Sequence, residues 1–288
     1  MFSNKLNSFL AVSLLLAAHT IQAAELESSK ISDQGFSYFM GLGQLNSTYQ
    51  ESISILPVKS KAQSSNLILI TGALYVLNED YMLSLDSLST FYPGTTTESW
   101  NSTSPTFNGI NLTSSILQQN SFSLSVSNTL LALHKRIDGD WFLFGGPSFG
   151  TNSFKRYAFV QGPDKAVAIT NATVEESSSE VLANFGIALE SAQVRNVASH
   201  YSLRASVAAP LWRQLQNTSY PSQIFSSAKG YDIAVEGRYS WAIHQKVHLG
   251  TWLRLARAYR GNQITGKLEM PASTLTSAGY GLELLWKL

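Results

Sequence analysis

The sequence predicts an all-β fold, a transmembrane antiparallel up-and-down β-barrel of about ten strands, with twelve as the alternative. Three observations predict it. The last stretch places Tyr280, Leu282, Leu284, Trp286 and Leu288 on one face and Gly281, Glu283, Leu285 and Lys287 on the other. Successive strand residues point to opposite faces, so one side of this strand is apolar and aromatic while the other carries charge. The same two-residue period recurs from Phe36 to the end of the chain. The connectors between these segments alternate between short and long.

The segments follow in order. Phe36, Tyr38, Met40 and Leu42 alternate with Ser37, Phe39, Gly41 and Gly43. Leu67 to Leu77 is almost wholly apolar, and Tyr81, Leu83 and Leu85 alternate with Met82, Ser84 and Asp86. Phe122, Leu124 and Val126 are expected on the lipid face, opposite Ser121, Ser123 and Ser125. Trp141 to Tyr157 reads as a strand interrupted at Gly145-Gly146-Pro147, a place for a bulge or local curvature. Val181 to Glu190, Tyr201 to Leu211, Tyr231 to Trp241 and Val247 to Leu255 repeat the alternation before the terminal strand. Each signal is weak alone, but their succession is the mark of a membrane barrel. Extra strands, if there are twelve, fall in Thr106 to Ile116 or Ala166 to Val174.

Short connectors are expected at Asn78 to Asp80, Arg136 to Gly139, Val194 to Ser199 and Ile243 to Lys246. Long polar ones are expected at Glu51 to Ser64, Pro93 to Asn120, Ala158 to Ser178, Arg213 to Lys229 and Gly261 to Ser273. Membrane barrels have short turns at one end and long loops at the other, which puts both chain ends on the short-turn, periplasmic side. Aromatic residues gather near both strand ends. Tyr38, Trp141, Trp241 and Trp286 lie toward the turns, and Phe91, Tyr92, Phe122, Trp212 and Tyr231 toward the loops, as two interfacial belts would.

The N-terminus fits export. Lys5, the apolar run Phe9 to Ala18 and the small-residue site Ile21-Gln22-Ala23 read as a signal peptide over residues 1–23, followed by a barrel domain over 24–288. Charged residues are only 14% of the chain, with a formal net charge of +1. A lipid-facing band accounts for that scarcity better than a solvated surface does. No basic run points to nucleic acid, and the absence of Cys excludes disulfides and thiolate chemistry.

Chemistry has to be sought on the inward face. The alternation puts Asp86, Glu190, Arg204, Asp232, Glu236, Arg238, Arg254, Glu283 and Lys287 there. Both signs are present in similar number, and the turn near His244 sets Glu236 opposite or diagonal to Arg254. A charge-compensated network that fills the lumen is the favoured reading, and a narrow conduction path is the alternative. No catalytic, cofactor-binding or metal-binding residue is assigned and no cofactor is implied, because His134, His200, His244 and His248 all lie near short turns. A surface hydrolase would need a histidine with its partner at the opposite rim. Lys155, Arg156, Arg257 and Arg260 group near the loop-side strand ends and are candidates for lipid phosphates.

The whole mature chain resembles the small outer-membrane β-barrel proteins of Gram-negative bacteria. Gly279-Tyr280-Gly281-Leu282-Glu283 running to the chain end, with no sizeable segment before Phe36, resembles a solitary autotransporter-type barrel without a passenger. The resemblance implies outer-membrane lipid as surroundings. It also implies insertion by the barrel assembly machinery, which reads Tyr280, Leu282, Leu284, Trp286 and Leu288 as its signal. Ten strands is also similar to the omptin proteases, but their rim Asp pair and His–Asp pair have no counterpart in this sequence. The expected role is therefore non-enzymatic: a structural or surface-interaction barrel whose long loops, Pro93 to Asn120 above all, meet an extracellular ligand.

Overall fold

The computed structural model describes residues 35–191, 198–265 and 268–288. The expected signal peptide, residues 1–23, lies outside the described residues, as does most of the expected turn Val194 to Ser199. Residues Asp33–Leu288 form one compact unit. Among the described residues there are sixteen strands: β1 Phe36–Ile53, β2 Val58–Val76, β3 Tyr81–Tyr92, β4 Thr95–Ser102, β5 Thr106–Phe107, β6 Ile110–Asn111, β7 Ile116–Asp138, β8 Trp141–Gln161, β9 Val174–Glu190, β10 Ser199–Asn217, β11 Ile224–Ser226, β12 Gly230–His244, β13 Val247–Arg260, β14 Gln263–Thr265, β15 Leu268–Met270 and β16 Ala272–Lys287.

The large sheet closes into a ring of ten staves, all neighbours antiparallel. In order they are β1, β2, β3 with β4, β7, β8, β9, β10, β12, β13 and β16. β3 and β4 make one stave, broken at Pro93-Gly94, where proline cannot donate to the ladder. The seam joins β1 to β16 in continuous register, from Ser37↔Lys287 to Ser52↔Ala272. Tyr38 stacks on Trp286 across that seam with ring centroids 5.8 Å apart. The alternative of twelve staves falls away. Thr106–Phe107 pairs only with Ile110–Asn111 in a small hairpin of its own, and residues 166–173 form no strand. Two residues in each arm cannot bury enough to join the wall.

The staves are longer than a bilayer needs, and this corrects the expected loops. β1 and β2 pair up to Ile53↔Val58, so Glu51 to Ser64 is mostly hairpin, with a tight turn at its tip. β8 runs to Gln161, β10 to Asn217, and β7 begins at Ile116. The strand around Gly145-Gly146-Pro147 stays unbroken in β8. The outward face explains these lengths. On β2 it reads Tyr75, Ala73, Thr71, Leu69 and Leu67, then Ser65, Gln63, Lys61 and Lys59. On β8 it reads Trp141, Leu143, Gly145, Pro147 and Phe149, then Thr151, Ser153 and Lys155. An apolar band of about nine residues, enough for a strand to cross a bilayer, thus gives way to a polar wall.

Above that band the inside and outside exchange character. Phe122 and Leu124, expected against lipid, are buried in the bore, and Ser121, Ser123 and Ser125 face out. This part of β7 stands in water, so its apolar side turns inward, as in a soluble barrel. Phe122 stacks with Tyr49 at 5.4 Å, and Phe154 packs against both, at 5.7 Å from Phe122 and 5.4 Å from Tyr49. The belt residues Tyr38, Trp141 and Trp241 near the turns are exposed and Trp286 is half-buried, and Phe91, Tyr92, Trp212 and Tyr231 nearer the loops are exposed. Phe122 leaves the belt.

Candidate functional site in the lumen

Inward residues at the level of the apolar band form a network that crosses the bore. Glu190 on β9 sits opposite Ser202, two residues from Arg204 on β10, so the Arg204 Nε donates diagonally to Glu190 Oε1 at 2.5 Å. The same guanidinium reaches across the ring to Asp86 on β3, Nη1 to Oδ2 at 2.8 Å. Arg238 on β12, the stave facing β3, lies 3.4 Å from the other Asp86 oxygen. It also donates to Glu236 at 2.8 Å and stands 3.7 Å from Glu283. Its guanidinium caps the Phe39 ring at 3.9 Å. Glu236 is directly opposite Arg254 in the ladder, with 3.6 Å between their charged atoms. Seven of the nine inward charges read from the sequence therefore meet in one network. Asp232 stands apart nearer the loops, and Lys287 is buried near the turns.

Beside the network, level with Arg238, the bore is filled by bulk. The Trp252 indole lies across it, on a floor made by Gly43 of β1 and Gly279 and Gly281 of β16. A Cβ on Gly43 would stand 2.4 Å from the indole, one on Gly281 2.8 Å and one on Gly279 2.9 Å. Only glycine lets the ring approach the wall that closely. Phe39, Leu45, Ile68, Ile70 and Leu285 pack around it. Near the turns, His134 stacks on Phe144 at 5.2 Å with its Nε2 2.9 Å from the Ser84 hydroxyl. His200 and His248 lie ring to ring at 4.7 Å. Among the described residues, every histidine lies at this turn end.

A second charged cluster occupies the bore near the loops, and the sequence reading missed it. Arg156 on β8 donates to both Glu98 oxygens, at 2.6 and 2.8 Å, and to Glu51 at 3.0 Å. Phe154, Trp100 and Phe122 surround its guanidinium at 4.2, 4.9 and 5.7 Å. Tyr49 donates to Glu51 at 2.5 Å. Arg260 joins Glu176 at 2.7 Å, and Arg213 joins Glu180 at 2.7 Å. Arg156 and Arg260, read as lipid-phosphate contacts, thus point inward. Lys155 pairs outside with Glu175 at 3.0 Å, and Arg257 faces outward. A signal was present for part of this cluster. Glu176, Glu180, Asn184 and Glu190 keep a single parity along β9. Arg213 was harder to see, because a bulge between Pro210 and Trp212 switches the parity of β10 and turns Leu211 and Trp212 both outward.

Two of the loops above are tied together. Asp164 accepts from the Thr113 hydroxyl at 2.5 Å and from the amides of Thr113 and Ser114 at 2.9 and 3.1 Å. These bonds, the Thr113 hydroxyl foremost, hold the Asp164 carboxyl below the usual aspartate range. Phe107, Val58, Leu117 and Ala166 pack beneath, so the segment Pro93 to Asn120 is not a free loop: its ends are the wall strands β4 and β7, and the part between them is a packed hairpin.

The architecture is that of the Gram-negative outer-membrane β-barrels. No family model and no curated protein matches the chain. Among solved structures it is similar to the outer membrane protease OmpT from Escherichia coli, with a TM-score of 0.60 at 9% identity, covering 90% of this chain and 98% of that one. The translocator domain of the autotransporter NalP from Neisseria meningitidis matches with a TM-score of 0.38 at 9% identity over 99% of each chain. The transport unit of the autotransporter AIDA-I from Escherichia coli matches with a TM-score of 0.36 at 12% identity, covering 93% of this chain and 96% of that one. At these identities the likeness is one of fold.

Proposed function

We propose that this protein is a closed, non-enzymatic outer-membrane barrel that holds a surface for contact rigidly above the lipid, with both chain ends in the periplasm. The observation that carries this reading is the filling of the lumen at two heights. At the lower one, Trp252 and its apolar neighbours pack beside the ion network, where Asp86 is held between Arg204 and Arg238. At the upper one, Arg156 is held between Glu51 and Glu98. Buried ion pairs of this kind contribute little net stability, but removing one partner is costly, so they favour a single rigid arrangement. The seven sequence-read charges of the network serve this filling rather than lining a pore.

The loop tips favour contact. Ile55, Ile110, Ile169, Ile224 and Ile264 are each exposed on a different one of the five connectors at that end. A protease of the OmpT kind is disfavoured by the placement of the histidines at the opposite end. Tyr280, Leu282, Leu284, Trp286 and Leu288 form the outward row that the barrel assembly machinery reads, and residues 1–23 are removed on export. The test is electrical. Purified protein in a planar bilayer passes no discrete current steps, and sustained steps that survive reversal of voltage would refute a closed lumen.

A further inference from the structure

A cavity of about 140 Å³ lies in the bore between the ion network and the loop-side cluster. It exists because one arc of the wall has small inward side chains at this height: Ser206, Ala208, Ala234, Ala256, Ala258 and Ser277. It has room for on the order of ten waters. Toward the loops it continues into a second space of about 50 Å³, with which it shares Asn152, Glu180, Ala258 and Leu275. Toward the turns the Arg204 and Arg238 network and Trp252 close it.

Two opposite charges face this chamber with bonding capacity unused. The Asp232 Oδ1 is buried without a hydrogen-bond partner. Arg254 has a side chain 29% exposed, against 10% for Arg204 and 8% for Arg238, and its contact with Glu236 is 3.6 Å. Glu236 is held more closely by Arg238, at 2.8 Å. The two charges are on adjacent strands. Arg254 pairs in register with Glu236 and Asp232 with Ala258, which sets Asp232 roughly 13 Å farther toward the loops. The long Arg254 side chain spans part of that gap, and a guest fits in the remainder. Asp86, Glu180, Asp232 and Glu236 line the chamber together with Arg204, Arg238 and Arg254, Arg257 being turned outward, so both signs face it. A single-charge ion gains at one end only, whereas a molecule with both charges gains at each end.

We propose that this chamber binds a small zwitterion of free amino-acid size, its ammonium on Asp232 and its carboxylate on Arg254. The site rests on the closed-lumen reading only for its dead end at Trp252. The test uses the full chain refolded in detergent, with glycine as the probe and acetate and ethylammonium as single-charge controls, followed by calorimetry or saturation-transfer NMR. Glycine binds saturably, about tenfold more tightly than either control. Asp232→Asn and Arg254→Gln each weaken it about tenfold or more. Ala256→Leu, which fills the chamber and keeps both charges, abolishes it, and Ser206→Val serves the same purpose should Ala256→Leu fail to refold. No saturable glycine binding, equal binding of acetate or ethylammonium, or full binding to a refolded filled variant would overturn the site. Conductance reports separately. Binding together with current would keep the chamber and sink the closed barrel, while silence in both would do the reverse.

Discussion

Replacing Arg204 by methionine tests the network where it is most tightly drawn. Arg204 makes two short charged hydrogen bonds, 2.5 Å to Glu190 and 2.8 Å to Asp86. The Glu190 side chain is 1% exposed, so water cannot replace the lost cation. Each hydrogen bond to a charged group contributes about 1.5–3 kcal/mol, so the pair sums to about 3–6 kcal/mol. Breaking a buried ion pair costs about 3–5 kcal/mol in other proteins, which brackets the same figure. We expect Arg204→Met to destabilise the barrel by about 4 kcal/mol. Adding Glu190→Gln removes the orphaned charge, and Asp86 keeps Arg238. The double variant should therefore lose only about 1–2 kcal/mol. Urea unfolding in lipid vesicles, followed by tryptophan fluorescence, measures both. A loss below about 1 kcal/mol for Arg204→Met, or a double variant as unstable as the two single losses added together, would refute the argument.

Three further outcomes are expected. Leu203→Lys, on the outward face of β10 within the apolar band, costs about 2–4 kcal/mol, whereas Ser123→Lys, outward on β7 above it, costs under about 0.5 kcal/mol; equal costs in vesicle unfolding would contradict the change of surroundings along the wall. Gly279→Ala drives a methyl against Trp252 and costs about 1–3 kcal/mol, largely relieved when Trp252→Leu is added, as read by the same unfolding curves. Asp164 has a folded pKa below its unfolded one, so its stabilising bonds are complete above the usual aspartate range and are lost as pH falls through the lower folded value. Amide exchange at Thr113 and Ser114 should therefore stay slow from neutral pH through the ordinary carboxylate range, with protection disappearing only below it.

Much of the barrel was legible because the side-chain period of a strand is two, and the lipid-facing row is apolar whatever the function. That made the terminal strand, the turn-end segments and the inward parity of Asp86, Glu190 and Arg204 readable. The loop-side half was not. There the polar row and the apolar row exchange faces, so Phe122 and Leu124 carried the right period with the wrong direction. Polar strands such as Lys59-Ser60-Lys61 have the composition of loops, although their register with β1 and β4 is continuous. Two residues facing outward in succession, Leu211 and Trp212, hid Arg213 by shifting its phase. Contacts between staves on opposite sides of the ring, such as Asp86 with Arg238 or Arg156 with Glu51, depend on closure, and local sequence carries no record of them.

The level at which each outward row turns from apolar to polar acts as a waterline. On β2 it falls between Leu67 and Ser65, and on β8 between Phe149 and Thr151. Everything on the loop side of that line is freeboard: about 15–20 Å of hydrogen-bonded wall, from the strand rise and tilt. Its draught is set by the wall itself, so trimming the loop tips would alter what the protein presents without lowering it toward the lipid. A single charged residue placed just below the line on one side would list the barrel instead.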